Sequence, residues 1–192
     1  MIDVLFISPG NAIGIYQELA NDYAAIEPPT WALLLAQSCR SIGHTVALID
    51  ANAEQLSKEE IAKRIKNINP RLICFVVYGQ NVNSGTVNMS GAVYLSNYLK
   101  DIGVNIPISY IGSYVQAVPI KALKEESLID FLFTNEGVYA LRNILAEETI
   151  DINNLDHIKG IIWRKNGTPK INPAEKVVPN EKMDIALPGY AW

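Results

Sequence analysis

The sequence predicts an α/β protein on a doubly wound parallel sheet, and three observations carry that reading. Short apolar, β-branched-rich runs are hydrophobic without alternation, as strands covered on both faces are. They are separated by segments with helical spacing, each long enough for a crossover. Small and amide-bearing residues gather just after the strands, where such sheets keep their ligand loops.

Val4–Ser8 is the first strand, stopped by Pro9-Gly10. Residues 11–27 are long and mixed, the length of a binding loop. Pro28-Pro29-Thr30 then opens a helix whose apolar face is Trp31, Leu34, Leu35, Cys39 and Ile42, closed by Gly43. Thr45–Asp50 reads as the second strand. Ser57-Lys58-Glu59-Glu60 is a capping box that starts a helix running to about Asn67, with Ile61 and Ile65 inward. Leu72–Val77 is the central strand, and a helix from about Ser84 to Lys100 follows on the spacing of Val82, Thr86, Met89, Val93 and Leu99. Ile106–Ile111 is the fourth strand, stopped by Gly112-Ser113. A short helix over Pro119–Glu125, a fifth strand Phe131–Phe133 and a helix ending near Ala146 complete the alternation. Right-handed crossovers then favour a five-stranded sheet in the flavodoxin-like, Rossmann-like order 2-1-3-4-5. Beyond Gly160, Ile161–Arg164, Asn166-Gly167 and Pro169–Asn172 read as a β-hairpin, and Pro173–Trp192 as an extended tail without helical or strand period. Residues 1–150 are thus expected to form the ligand-binding domain and 151–192 a hairpin and linker.

At 192 residues, 49% of them hydrophobic and 19% charged, the chain is long enough for a full core. A net charge of −4 with no run of Lys or Arg argues against a nucleic-acid surface, and no apolar stretch is long enough for a membrane span. Met1-Ile2-Asp3 opens directly into a strand with no signal peptide, so a cytoplasmic protein is expected. Cys39 and Cys74 lack a CxxC partner and read as buried thiols; His44 and His157 sit in turn-like contexts, so a metal site made of protein ligands alone is not expected.

In the order 2-1-3-4-5 the switch point lies between strands one and three. Ser8, Pro9 and Gly10 would flank one side of a crevice and Tyr78, Gly79, Gln80 and Asn81 the other, with Gly112, Ser113, Asn135, Glu136 and Gly137 beside it. Ser84 and Thr86 add hydroxyls at the start of the long helix, although Ser84 also suits a plain N-cap. The loop after the central strand is uncharged, which suits a ligand taken through neutral hydrogen bonds better than a polyphosphate or a metal.

The order and wording of these loops resemble the N-terminal cobalamin-binding domain of B12-dependent radical S-adenosylmethionine (SAM) enzymes. The matching pieces are Ala25–Trp31, Gly43–Val46 with Ile49-Asp50-Ala51, Val77–Asn81 with Ser84 and Thr86, Gly112, Asp130-Phe131 with Asn135-Glu136-Gly137, and Gly160–Arg164. Leu187–Trp192 looks like the linker into the catalytic barrel of such enzymes. The resemblance implies a bound cobalamin (B12) that serves methyl transfer or related radical chemistry, with the barrel as partner in cis. The CxxxCxxC motif is absent here, so the [4Fe-4S] cluster and S-adenosylmethionine are expected only in a part not contained in this chain. The DxHxxG motif is absent too: after the first strand stands Pro9-Gly10-Asn11-Ala12-Ile13-Gly14, and Leu155 replaces the aspartate before His157. Resemblance then implies a base-off, His-off corrinoid, with Tyr78, Gln80 and Asn81 beneath the ring. A flavodoxin-like site for FMN or another nucleotide is the alternative, but no phosphate nest or GxGxxG follows a strand. A receiver-type regulatory module would need an acidic pair where Ser8-Pro9 stand. A plain interaction module with an empty crevice is the third.

Overall fold

A computed structural model describes residues 1–10, 18, 26–78 and 82–189, without the side chains of residues 82–84 and 86. Gly79, Gln80, Asn81 and nearly all of the segment after the first strand lie outside the described residues, as do the side chains of Ser84 and Thr86.

Seven strands form one sheet in the order β2-β1-β3-β4-β5-β6-β7. They are β1 (Val4–Ser8), β2 (Val46–Asp50), β3 (Leu72–Val76), β4 (Ile108–Ile111), β5 (Phe131–Phe133), β6 (Ile161–Lys165) and β7 (Thr168–Ile171). The first five are parallel, with Val4 opposite both Val46 and Leu72, and Cys74 opposite Ser109. The last two are antiparallel and extend the same sheet beyond β5, Phe131 lying opposite Trp163. The expected order 2-1-3-4-5 is therefore the observed one.

The helices are α1 (Thr30–Arg40), α2 (Lys58–Ile68), α3 (Val82–Asp101), α4 (Ser113–Ala117), α5 (Pro119–Glu125), α6 (Val138–Ala146) and α7 (Met183–Ala186). Strand side chains alternate between two cores. Val4, Phe6, Cys74, Val76, Phe131 and Trp163 pack under α1 and α6. Leu5, Ile7, Ile73, Phe75, Leu132 and Ile162 pack under the helices of the other face. This explains why the central strands read as unbroken apolar runs: with both faces covered, β1, β3, β4 and β5 bury every residue but Ser8.

Local chemistry sets the boundaries. Ser57 accepts from the Glu60 N–H at 3.3 Å while Glu60 takes the Ser57 N–H at 2.9 Å, the reciprocal cap predicted for α2. Asn166 and Gly167 have φ of 51° and 78°, so the hairpin turn is type I′, and Pro169 falls in the outer strand. Two elements differ from expectation. Gly112-Ser113 does not merely stop β4, because α4 begins at Ser113. The tail is not wholly extended either: a 3-10 turn at Asn180–Lys182 runs into α7. Its Ala186 is buried against the α1–α6 face, where Ser38 Oγ donates to its carbonyl at 2.5 Å. Arg142 Nη2 donates to the same carbonyl at 3.0 Å and to the Ser38 carbonyl at 3.0 Å.

Candidate functional site

Five strands pointing one way deliver their following loops to one edge, and β1 is where the chain order reverses. The backbone there is tightly drawn. An added Cβ at Gly112 would lie 2.4 Å from the Val77 carbonyl oxygen, so β3 and β4 leave their last hydrogen bond, Val77 N–H to Ile111 at 2.7 Å, with no room for a side chain between them. At Gly85, in the first turns of α3, a Cβ would lie 2.8 Å from Ser113 Oγ, which brings the starts of α3 and α4 together. Gly10 is pressed on the neighbouring loop instead: its Cβ would meet Asn52 Cβ at 2.5 Å. Ser8 joins that loop through its carbonyl, which accepts from the Ala51 N–H at 3.0 Å. Pro9 lies between them and is buried.

Tyr78 is the side chain around which the described part of the edge is arranged. Two residues past β3, it continues the face of Val76, half-buried, and its ring meets the edge of Trp31 at 5.5 Å between centroids and 64°. Gln116 Nε2 donates to its hydroxyl at 2.6 Å and also to the Asn135 carbonyl. Asn88 Nδ2, from α3, donates to the Tyr78 carbonyl at 2.7 Å. Burial raises the phenol's pKa, as does the Glu136 carboxylate, against the lowering effect of Gln116, so the hydroxyl stays neutral. The indole Nε1–H of Trp31 is buried with no acceptor among the described residues. A buried donor without a partner is uncommon in folded chains, because its lost hydration is not repaid.

Asn135, Glu136 and Gly137 are placed differently from Tyr78. Asn135 Oδ1 accepts from the Gly137 N–H at 2.9 Å, and its Nδ2 donates to the Glu175 carbonyl at 3.1 Å. Glu136 Oε1 accepts from the Val178 N–H at 2.6 Å. Gly137, at φ +75°, starts α6. Their side chains thus fasten the C-terminal segment to the site's rim, and only the Asn135 backbone reaches the Tyr78 network. Gln116, Asn88 and the polar role of Trp31 escaped the sequence reading. Gln116 follows Gly112 by one helical turn, which is the one signal that could have found it once α4 is known.

Among the described residues no group of three or more His, Cys, Asp and Glu could hold an ion. His44 pairs with Asp3 at 3.8 Å, at the start of β1 and so at the opposite edge, and His157 lies 3.1 Å from Glu147, just past the end of α6. Cys39 and Cys74 are buried, and burial pushes each thiol up to about 12. No helix among the described residues is long and apolar enough to cross a membrane.

Comparison with known proteins places this geometry. The family model described as B12 binding domain matches residues 18–145. An uncharacterized methyltransferase of Pyrococcus horikoshii is 26% identical over 163 residues, which is 85% of this chain and 33% of that protein. Among solved structures, the cobalamin-dependent S-adenosylmethionine radical enzyme OxsB, with aqua-cobalamin and S-adenosylmethionine bound, superimposes over 97% of this chain and 25% of its own with a TM-score of 0.67 at 16% identity. The radical S-adenosylmethionine methyltransferase TsrM of Kitasatospora setae does so over 90% of this chain and 30% of its own, also at 0.67, with 14% identity. The chain therefore spans about a third of the curated relative it matches, and less of these two structures.

Proposed function

This chain belongs to the B12-binding domain family, and on that premise we propose that it holds a base-off, His-off cobalamin at the carboxyl edge of its sheet for a larger B12-dependent radical SAM enzyme. In this reading residues 1–150 hold the cofactor and 151–192 form the hairpin and linker toward the catalytic barrel.

The observation that carries the reading is the donor set of the edge. Tyr78, Gln116, Asn88 and the unpartnered Trp31 Nε1–H are all neutral, and a corrin is fringed with amides whose carbonyls accept from such donors. A phosphate-centred cofactor would ask for a glycine-rich nest or a cation, and among the described residues the hydrogen-bond partners of Tyr78 are neutral amides. The residues present thus fit a corrinoid. Trp31 and Tyr78 would supply donors to its fringe, Asn88 fixes the Tyr78 backbone, and Gly112 keeps the edge free of side chains. Gly79, Gln80 and Asn81 continue this neutral rim in the sequence, with Ser84 and Thr86 at the start of α3. The histidines of the sequence, His44 and His157, both stand outside the strand-end loops, which supports a cobalt without an imidazole below it. When bound, cobalamin supplies methyl-group or one-electron chemistry that no side chain of this chain can perform. The iron-sulfur cluster, S-adenosylmethionine and the choice of substrate belong to the rest of the enzyme.

The test is retention of colour. Purified chain is mixed with hydroxocobalamin, FMN or buffer, desalted, and its visible spectrum recorded. Cobalamin absorbance of base-off shape, with FMN lost on the column, is the expected result. A colourless protein after the cobalamin arm overturns the proposal, and retained flavin would put a nucleotide site in its place.

A further inference from the structure

The orientation of the Gln116 amide can be settled from its neighbours. Its terminal nitrogen lies against both the Tyr78 hydroxyl and the Asn135 backbone carbonyl. A carbonyl oxygen only accepts, so the group facing it must be the NH2 and not the amide oxygen. The same NH2 therefore donates to the phenol oxygen and occupies one of its lone pairs. Gln116 is the single partner of that hydroxyl among the described residues, so the phenolic proton has no acceptor among them. Asn135 is in turn fixed by its own side chain, which bonds to Gly137 N–H and to the Glu175 carbonyl, so the anchor of Gln116 does not drift.

We infer that Gln116 is a positioning residue that turns the Tyr78 hydroxyl into a donor for a ligand at the strand-end crevice. The ligand atom taken there is a neutral acceptor oxygen, an amide carbonyl of the corrin fringe. This rests on the cobalamin reading above. Without Gln116 the phenol could satisfy itself by donating to the protein or to water, and its pre-set direction would be lost. Burial, which keeps the phenol protonated, works to the same end.

A double-mutant cycle on the full chain separates this role from mere packing. Hydroxocobalamin affinity is measured for the wild type, Tyr78→Phe, Gln116→Met and the double variant, with thermal melts to confirm folding. Tyr78→Phe and Gln116→Met should each weaken binding about fivefold to tenfold, the worth of one hydrogen bond. Once Tyr78 is Phe, Gln116→Met should cost less than about twofold, because Gln116 acts through the hydroxyl. Gln116→Glu keeps the shape but sets an acceptor beside the phenol and draws its proton inward; it should weaken binding at least as much, and it decides the matter if the Met variant is unfolded. Repeating the Tyr78 comparison with dicyanocobinamide, which keeps amides on its fringe but holds cyanide at both axial positions, checks the acceptor: a preserved loss supports a fringe carbonyl, and a vanished loss overturns that assignment. Equal losses from Gln116→Met in both backgrounds, or none in the wild-type background, overturn the inference while leaving cobalamin binding intact. A wild-type chain that retains no cobalamin fails earlier, and takes the cobalamin reading with it.

Discussion

Asp3 stands at the amino edge of β1 with its carboxylate shared between Thr45 and Arg71. Burial pushes its pKa up, but the Thr45 N–H and hydroxyl, at 2.8 Å each, and the Arg71 guanidinium at 2.9 Å more than offset this and hold it at about 2. Since the folded value lies below the unfolded one, this cluster's stabilisation is complete above about pH 5 and is lost as pH falls through about 4 toward 2. Asp3→Asn should therefore lower stability by about 1–2 kcal/mol at pH 7, and chemical denaturation at pH 2.5 should show a much smaller difference. The two thiols make a second case. Cys39 and Cys74 are raised to about 12 by burial, so neither should react with an alkylating reagent at pH 8 until denaturant opens the fold, as mass spectrometry of quenched samples would show. Both were legible as buried thiols, Cys74 from the apolar run around it and Cys39 from its place on the apolar face of a helix, with no CxxC partner for either. Gly112 stood out in the sequence as a glycine at a strand end, and the structure gives it a steric reason: Gly112→Ala would drive a methyl into the Val77 carbonyl and should cost about 2–3 kcal/mol in thermal or urea unfolding. Gln116 was not legible. A lone glutamine carries no periodicity, and its partners come together only after β3, β4 and β5 are in register.

At the scale of elements, the segments that announced themselves were those whose local chemistry and burial agree. The capping box of α2, the buried runs of β1 and β3 and the Asn166-Gly167 turn were all readable, because each is fixed within a few residues of itself. The elements missed, α4 and α7, have five and four residues and too little length to show a 3.6-residue period. α7 exists through tertiary contact. Its last carbonyl is gripped by Ser38 and Arg142, and Arg142 also donates from Nε to Ser38 Oγ at 3.1 Å. Arg142→Met keeps the aliphatic stem but removes these bonds. It should make the C-terminal segment more open to trypsin at Lys182, so that a time course of limited digestion shows early clipping there, with a loss of about 1–2 kcal/mol in overall stability. Unchanged cleavage kinetics would mean that apolar burial of Ala186 and Val178 alone fastens the segment.

For the whole molecule, strand order was the decisive inference. An alternation of buried strands and helices with right-handed crossovers leaves few sheets to choose from, and the switch point between β1 and β3 follows without any knowledge of a ligand. What that logic could not supply was how the edge is divided. Asn135 and Glu136 stand at the predicted edge yet spend their side chains on the residues that follow β7, a long-range partnership that no local pattern encodes. One more property follows from the far side of the sheet. Pro169 sits opposite Arg164 in the outermost strand, next to the pair Lys165–Thr168 that closes the turn. In that register its missing N–H falls on the outward row, where an incoming strand from another molecule would need a donor. A single imino ring thus guards the open flank against stacking of one copy upon the next. Pro169→Val should leave melting almost unchanged while light scattering of concentrated samples climbs with time, a colloidal penalty invisible to any measurement on the isolated fold.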